Sequence, residues 1–155
     1  MLVLFTPAMP PISTDLKSKP QTKDPADPFE PLGRALSVRH SRVRHVPYVP
    51  KVGLTNLHLP FIRQAHAIIV VVCEPPGSPK SKDESIANQE RFAAAVSSAL
   101  LGLRPTDGTQ VTTSLVQCCG NGRAPQPQQG FQNILQCPGY SQADQEAAVR
   151  LLMGR

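Results

Sequence analysis

The sequence predicts an α/β fold: a small βαβ-containing module with a C-terminal helix, preceded by a disordered Pro-rich arm. Three observations predict it. The run 67–73, AIIVVVC, is continuous, apolar and largely β-branched, and Glu74-Pro75-Pro76-Gly77 closes it, as expected of a strand buried on both faces. A capped helical pattern opens at Ser81. A second strand pattern runs from Gln110 to Cys118, and the connection between the strands is long enough to carry a helix back across a sheet, which makes them parallel and the crossover right-handed.

Residues 1–40 carry seven prolines among Ser, Thr, Lys and Asp, with no helical or alternating apolar period able to bury a face. That composition predicts a disordered or extended arm. The next segment, 41–59, reads as basic and extended. Val43, Val46, Tyr48 and Val49 suit a strand, but Pro47 and Pro50 cannot donate ladder hydrogen bonds, so it is expected to be an edge strand or a polyproline segment. The packed module is assigned to 60–155.

Within that module Ser81-Lys82-Asp83-Glu84 matches a capping box, in which the Ser81 oxygen and the Glu84 side chain satisfy each other's backbone amides. Phe92, Val96, Leu100 and Leu103 then recur at helical spacing, and Gly102 with Pro105 supplies a stop. The first turns are polar, so deep packing is expected of the second half. Asp107-Gly108 marks a turn before the second strand, and Phe131 to Cys137 reads as a short third one. Ser141 opens a last helix to Met153, with Ala147, Ala148, Leu151 and Leu152 as its expected buried stripe.

The formal net charge of +5 is unevenly placed. Residues 1–30 are −1 and residues 74–155 neutral, whereas 31–73 contain no Asp or Glu and carry Arg34, Arg39, Arg42, Arg44, Lys51 and Arg63. All four histidines, His40, His45, His58 and His66, share that window and are expected at its surface. Such a distribution suits phosphate, an acidic protein or an anionic surface, and a plain solvated linker would also show it. Arg34, Arg39, Arg42, Arg44 and Lys51 are the expected phosphate contacts, with Tyr48 stacking on a base; RNA is the favoured nucleic acid, without a signature for sequence readout. A second partner is suggested by Arg44, Pro47 and Pro50, a basic residue three before a PxxP, which suits an SH3-like groove.

Catalytic signatures are mostly missing: the chain has no Walker A sequence, HExxH, GxSxG or CxxC. Cys73 and Glu74 end the first expected strand and Cys118 and Cys119 the second, so a thiol nucleophile at the carboxyl edge of a parallel sheet is the alternative, enzymatic reading. Zinc bound by Cys73, Cys118, Cys119 and Cys137 would lack the short paired spacing of most structural sites, so neither metal nor cofactor is expected. Ser78-Pro79 is an expected phosphorylation site, beside Lys80, Lys82 and the start of a helix.

The longest uncharged apolar run falls far short of the roughly 20 residues a membrane span needs. The start of the chain has no basic n-region, and the four cysteines read as reduced thiols, so a cytoplasmic or nuclear protein is expected rather than a secreted one. Taken together, the sequence predicts a non-enzymatic accessory or adaptor protein whose basic Pro-rich segment binds nucleic acid or an acidic protein, with the α/β module anchoring or dimerising it.

Overall fold

In the computed structural model, residues 1–8, 29–73, 79–103, 111–118, 131–137 and 142–152 are described. They form an α/β fold around a five-stranded, all-parallel sheet. Strands β1 (Leu2–Pro7), β2 (Val43–Tyr48), β3 (Ala67–Cys73), β4 (Thr112–Cys118) and β5 (Asn133–Cys137) lie in the order β2-β1-β3-β4-β5. Helices α1 (Glu30–Arg39) and α4 (Gln142–Leu152) pack on one another, and α2 (Leu59–Gln64) packs on α3 (Pro79–Leu103).

The alternation of side chains along β1 and β3 divides the interior into two cores. Leu2, Leu4, Ile69 and Val71 meet Leu32 and Leu36 of α1 and Ala148 and Val149 of α4. Val3, Phe5, Ile68, Val70 and Val72 meet Ile62 of α2 and Phe92, Ala93 and Val96 of α3. Both faces of the sheet are therefore covered, which is why β3 is apolar at consecutive positions rather than at alternate ones.

The βαβ unit and the C-terminal helix stand where the sequence places them, but the fold reaches further towards the N-terminus. Leu2–Pro7, within the stretch read as an arm, is an interior strand between β2 and β3 with all six residues buried. A run of four to eight apolar residues is the mark of a buried parallel strand, and burying each Leu, Val or Phe contributes about 1.5–3 kcal/mol, enough to hold so short a segment once two neighbours pair with it. Glu30–Arg39 is a helix with Pro in its first turn, an acid at its start and Arg39 at its end. Residues 9–28 of the expected arm lie outside the described residues. Because β1 and β2 share the sheet of β3, the module does not begin at residue 60.

Of the two readings of the Val43–Pro50 stretch, an edge strand or a polyproline segment, the edge strand is realised over Val43–Tyr48. Leu2 N–H donates to the Arg42 carbonyl and Ala8 N–H to the Tyr48 carbonyl, so the even positions of β2 turn their backbone groups towards β1. Pro47 is an odd position. Its missing N–H thus faces away from the sheet, where an edge strand tolerates proline.

Two helices differ in detail from expectation. Helix α3 starts at Pro79, two residues before Ser81, with proline at the helical position that needs no N–H. Its deepest packing lies at Gln89, Phe92, Ala93 and Val96, whereas Leu101 near its end is exposed. On α4 the buried stripe is Gln145, Ala148 and Val149; Ala147 is exposed and Leu151 is 66% exposed. The stripe is rotated because Gln145 accepts a hydrogen bond from Leu32 N–H (2.9 Å), which satisfies an orphan amide in the first turn of α1.

Candidate functional site

Strand order places a topological switch between β1 and β3. From the end of β1 the chain runs to α1 on one face, and from the end of β3 it runs to α3 on the other. In open α/β sheets such a divergence leaves a crevice at the carboxyl edge. Here pairing between β1 and β3 ends at Phe5 with Val70. Beyond it two side chains take over the main-chain groups of β3. Tyr48 O–H donates to the Val71 carbonyl (2.7 Å), and Gln89 accepts from Cys73 N–H (2.7 Å) while donating to the Cys73 carbonyl (2.9 Å). Among the described residues no buried side-chain polar atom lacks a partner.

Tyr48 was expected to stack on a nucleobase. It is instead 1% exposed, and its ring lies against Phe92 with centroids 3.7 Å apart and planes 3° from parallel. No face is left for a base. Burial, and secondarily the neighbouring Cys73, pushes its phenol well above the ordinary value near 10.

The expected basic contacts divide differently. Arg34, Arg39, Arg42, Arg44 and Lys51 are all exposed. Arg34 pairs with Glu30 one turn away on α1, and Arg39 has an interaction of its own. No described counter-ion meets the side chains of Arg42, Arg44 and Lys51. The first two lie at and beside the start of the edge strand and Lys51 in the turn after it. Arg44 and Pro47 belong to a strand hydrogen-bonded to β1, so this stretch does not present the free polyproline helix an SH3-like groove requires. Pro50 follows in the turn. Ser78, the expected phosphorylation site, lies outside the described residues.

A groove of about 300 Å³ opens beside the carboxyl end of β2. Its walls include Val46, Val49, Val52, Leu57 and Phe61, of which Val52 is 65% and Leu57 81% exposed. Gly53, at φ +78°, closes the turn by donating its N–H to the Val49 carbonyl, a conformation that favours glycine. The floor is held by His58, a buried residue rather than the expected surface histidine. Thr55 N–H donates to its Nδ1 (3.0 Å), which leaves the proton on Nε2, 3.4 Å from the Pro47 carbonyl, and the ring meets Phe5 and Phe92 edge-on. Sequence reasoning missed this groove. Its apolar residues lie in a Pro- and Gly-containing stretch with no period, so the only signal was an unusual number of Val and Leu in a loop.

Cys73 ends β3 with 2% exposure, packed in the core shared with α1 and α4. Cys118 is its register partner on β4, and Cys137 on β5 is in turn the partner of Cys118. The described residues contain no group of three or more His, Cys, Asp or Glu side chains disposed to hold a metal ion. Nor is any described helix long and apolar enough to cross a membrane.

Comparison with protein-family models, curated proteins and solved structures gives no match for this chain.

Proposed function

We propose that the chain is a binding protein of the adaptor type whose acid-free face, along β2 and the turn after it, takes an acidic protein segment carrying apolar side chains. The observation that carries this reading is the juxtaposition of the groove beside Val49, Val52 and Leu57 with Arg44 and Lys51, cations that meet no described counter-ion. Apolar side chains in the groove would supply buried area, and acids of the same segment would meet Arg44 and Lys51, which set orientation and encounter rate. The exposed apolar wall favours protein over RNA, because phosphate gains nothing from it and Tyr48 is withdrawn from stacking. Strand addition to β2 is disfavoured, since Pro47 removes one outward donor and His58 approaches the Pro47 carbonyl.

The test is fluorescence anisotropy with a labelled peptide rich in Glu and Leu, against polyglutamate and single-stranded RNA of matched charge. The Glu/Leu peptide should bind tightest, and Arg44→Glu with Lys51→Glu should weaken it at least tenfold. Tighter binding of the RNA returns the site to nucleic acid, and equal binding of polyglutamate removes the groove from the reading.

A further inference from the structure

The two edges of the sheet differ in what guards them. At one edge β2 carries Arg44, His45 and Pro47, and Pro47 withdraws an outward donor. At the other edge β5 belongs to the run 131–137, FQNILQC, which holds no proline and no charged residue. Charge and proline are two of the devices that keep an edge strand from pairing with another chain, and β5 has neither.

The direction of its main-chain groups follows from one hydrogen bond. Gln132 N–H donates to the Thr113 carbonyl, so the even positions of this segment face β4. Asn133, Leu135 and Cys137 therefore turn their N–H and C=O groups away from the sheet, and those of Asn133 and Leu135 meet no partner among the described residues. Asn133 is exposed and Leu135 half-buried.

These three residues are evenly spaced about Leu135, the middle of the strand. Such a row matches its own copy turned antiparallel by a two-fold axis through Leu135. Leu135 of one copy then exchanges both main-chain bonds with Leu135 of the other, and Asn133 of each does so with Cys137 of the other. A register centred on Asn133 or on Cys137 would set part of the row opposite residues beyond the strand. The side chains agree with the central register. Leu135 shares the face of its register partner Val116, so the two Leu135 side chains stand opposite one another, about 5.5 Å apart at Cα, while Ile134 of each copy meets Gln136 of the other on the opposite face. No charge of this run meets its like across the axis, whereas self-pairing of β2 would bring Arg44 of both copies to one face of the same ladder.

We propose that β5 is a dimer interface, at which two copies of this chain join edge to edge into one continuous sheet by antiparallel pairing centred on Leu135. A second copy is the occupant because the strand offers no charge to orient a foreign segment, while its outward row is matched by itself. The β2 edge stays guarded, so assembly closes at two copies. The interface lies at the opposite edge of the sheet from the acidic-segment groove and does not rest on that reading.

The experiment is sedimentation velocity of the full, reduced chain across a dilution series, with amide hydrogen exchange measured at the same concentrations. The chain should pass from monomer to dimer and no further. The Asn133 and Leu135 amides should exchange at least tenfold more slowly in the dimer, while the Val43 amide on the outer side of β2 is unchanged. Leu135→Lys and Leu135→Glu should each weaken dimerisation at least tenfold, since like charges then face each other, and an equimolar mixture of the two should recover a dimer. A monomer at every concentration, assembly that continues past two copies, or a dimer whose Asn133 and Leu135 amides exchange as in the monomer overturns the proposal. Hydrogen exchange uses the unmutated chain, so the test stands even where a Leu135 variant fails to fold. Protection of these amides only when an extended peptide is added would give the edge to a foreign strand and likewise overturn the pairing of copies.

Discussion

The carboxamide of Gln89 makes both hydrogen bonds to the main chain of Cys73, accepting from its N–H at 2.7 Å and donating to its carbonyl at 2.9 Å. A side chain of α3 thus stands where a neighbouring strand would have been, at the point where β1 has stopped pairing with β3. Gln89 is fully buried, so neither backbone group has water as a substitute.

Replacing Gln89 by Leu should therefore cost about 2–5 kcal/mol, since each buried unsatisfied group costs about 1–3. Gln89→Glu keeps an acceptor for the Cys73 N–H but sets a carboxylate against the Cys73 carbonyl. Its folded-state pKa should rise, so the deficit relative to the parent narrows as pH falls towards the ordinary carboxyl value near 4.3, where the protonated acid can donate. Urea denaturation of parent and variant at matched pH values checks the sign; a deficit that widens on acidification contradicts the geometry.

Tyr48→Phe should retain the stack on Phe92 and lose the hydrogen bond to the Val71 carbonyl, a cost of about 1–2 kcal/mol. The Tyr48 phenol is raised by burial first and by Cys73 second. An unfolded tyrosine ionises from about pH 10 while the folded one holds its proton, so this contribution is complete below pH 10 and is lost as pH rises through the folded value. Thermal melts from pH 8 to 11 should fall more steeply for the parent than for Tyr48→Phe, and parallel slopes would place the phenol in solvent.

Gln145 joins α4 to the first turn of α1 through Leu32 N–H. Gln145→Ala should destabilise by about 1–3 kcal/mol and speed hydrogen exchange at the Leu32 amide more than at Val70, because the lost partner belongs to the helix start and not to the sheet. Equal acceleration at both amides would mean that the bond contributes only to global stability.

Pro47 guards the outer side of β2. Pro47→Thr supplies an outward N–H beside the exposed apolar Val49, so the variant should fold yet self-associate at concentrations where the parent is monodisperse. Light scattering across a dilution series measures this, and unchanged scattering would show that the proline is not what protects the edge.

Gly53→Ala tests the turn that shapes the groove. The added methyl meets nothing within 4 Å, so the cost, about 1–2 kcal/mol, comes from the left-handed backbone alone. Gly53→Asn should recover part of it, and calorimetry that ranks Asn below Ala would contradict the positive φ.

By itself the sequence determined the elements whose signals are local: the β-branched run 67–73, the long helix ending near Gly102, the strand ending at Cys118, the last helix, and the restriction of the Pro47 stretch to an edge strand or a polyproline segment. Each follows from periodicity or from a residue that removes a donor, and neither depends on distant neighbours. Only the tertiary structure decided that Leu2–Pro7 is an interior strand, because a short, largely apolar run beside a proline-rich stretch has no fate until β2 and β3 pair on either side of it. Tyr48 is the same lesson at the candidate site. A tyrosine among arginines reads as a ring offered to a base, and it is the divergence of β1 from β3 that turns the ring inward to complete the backbone of a strand 23 residues away in sequence. The row of Cys73, Cys118 and Cys137 is likewise a property of register, which long-range pairing sets and local spacing does not record.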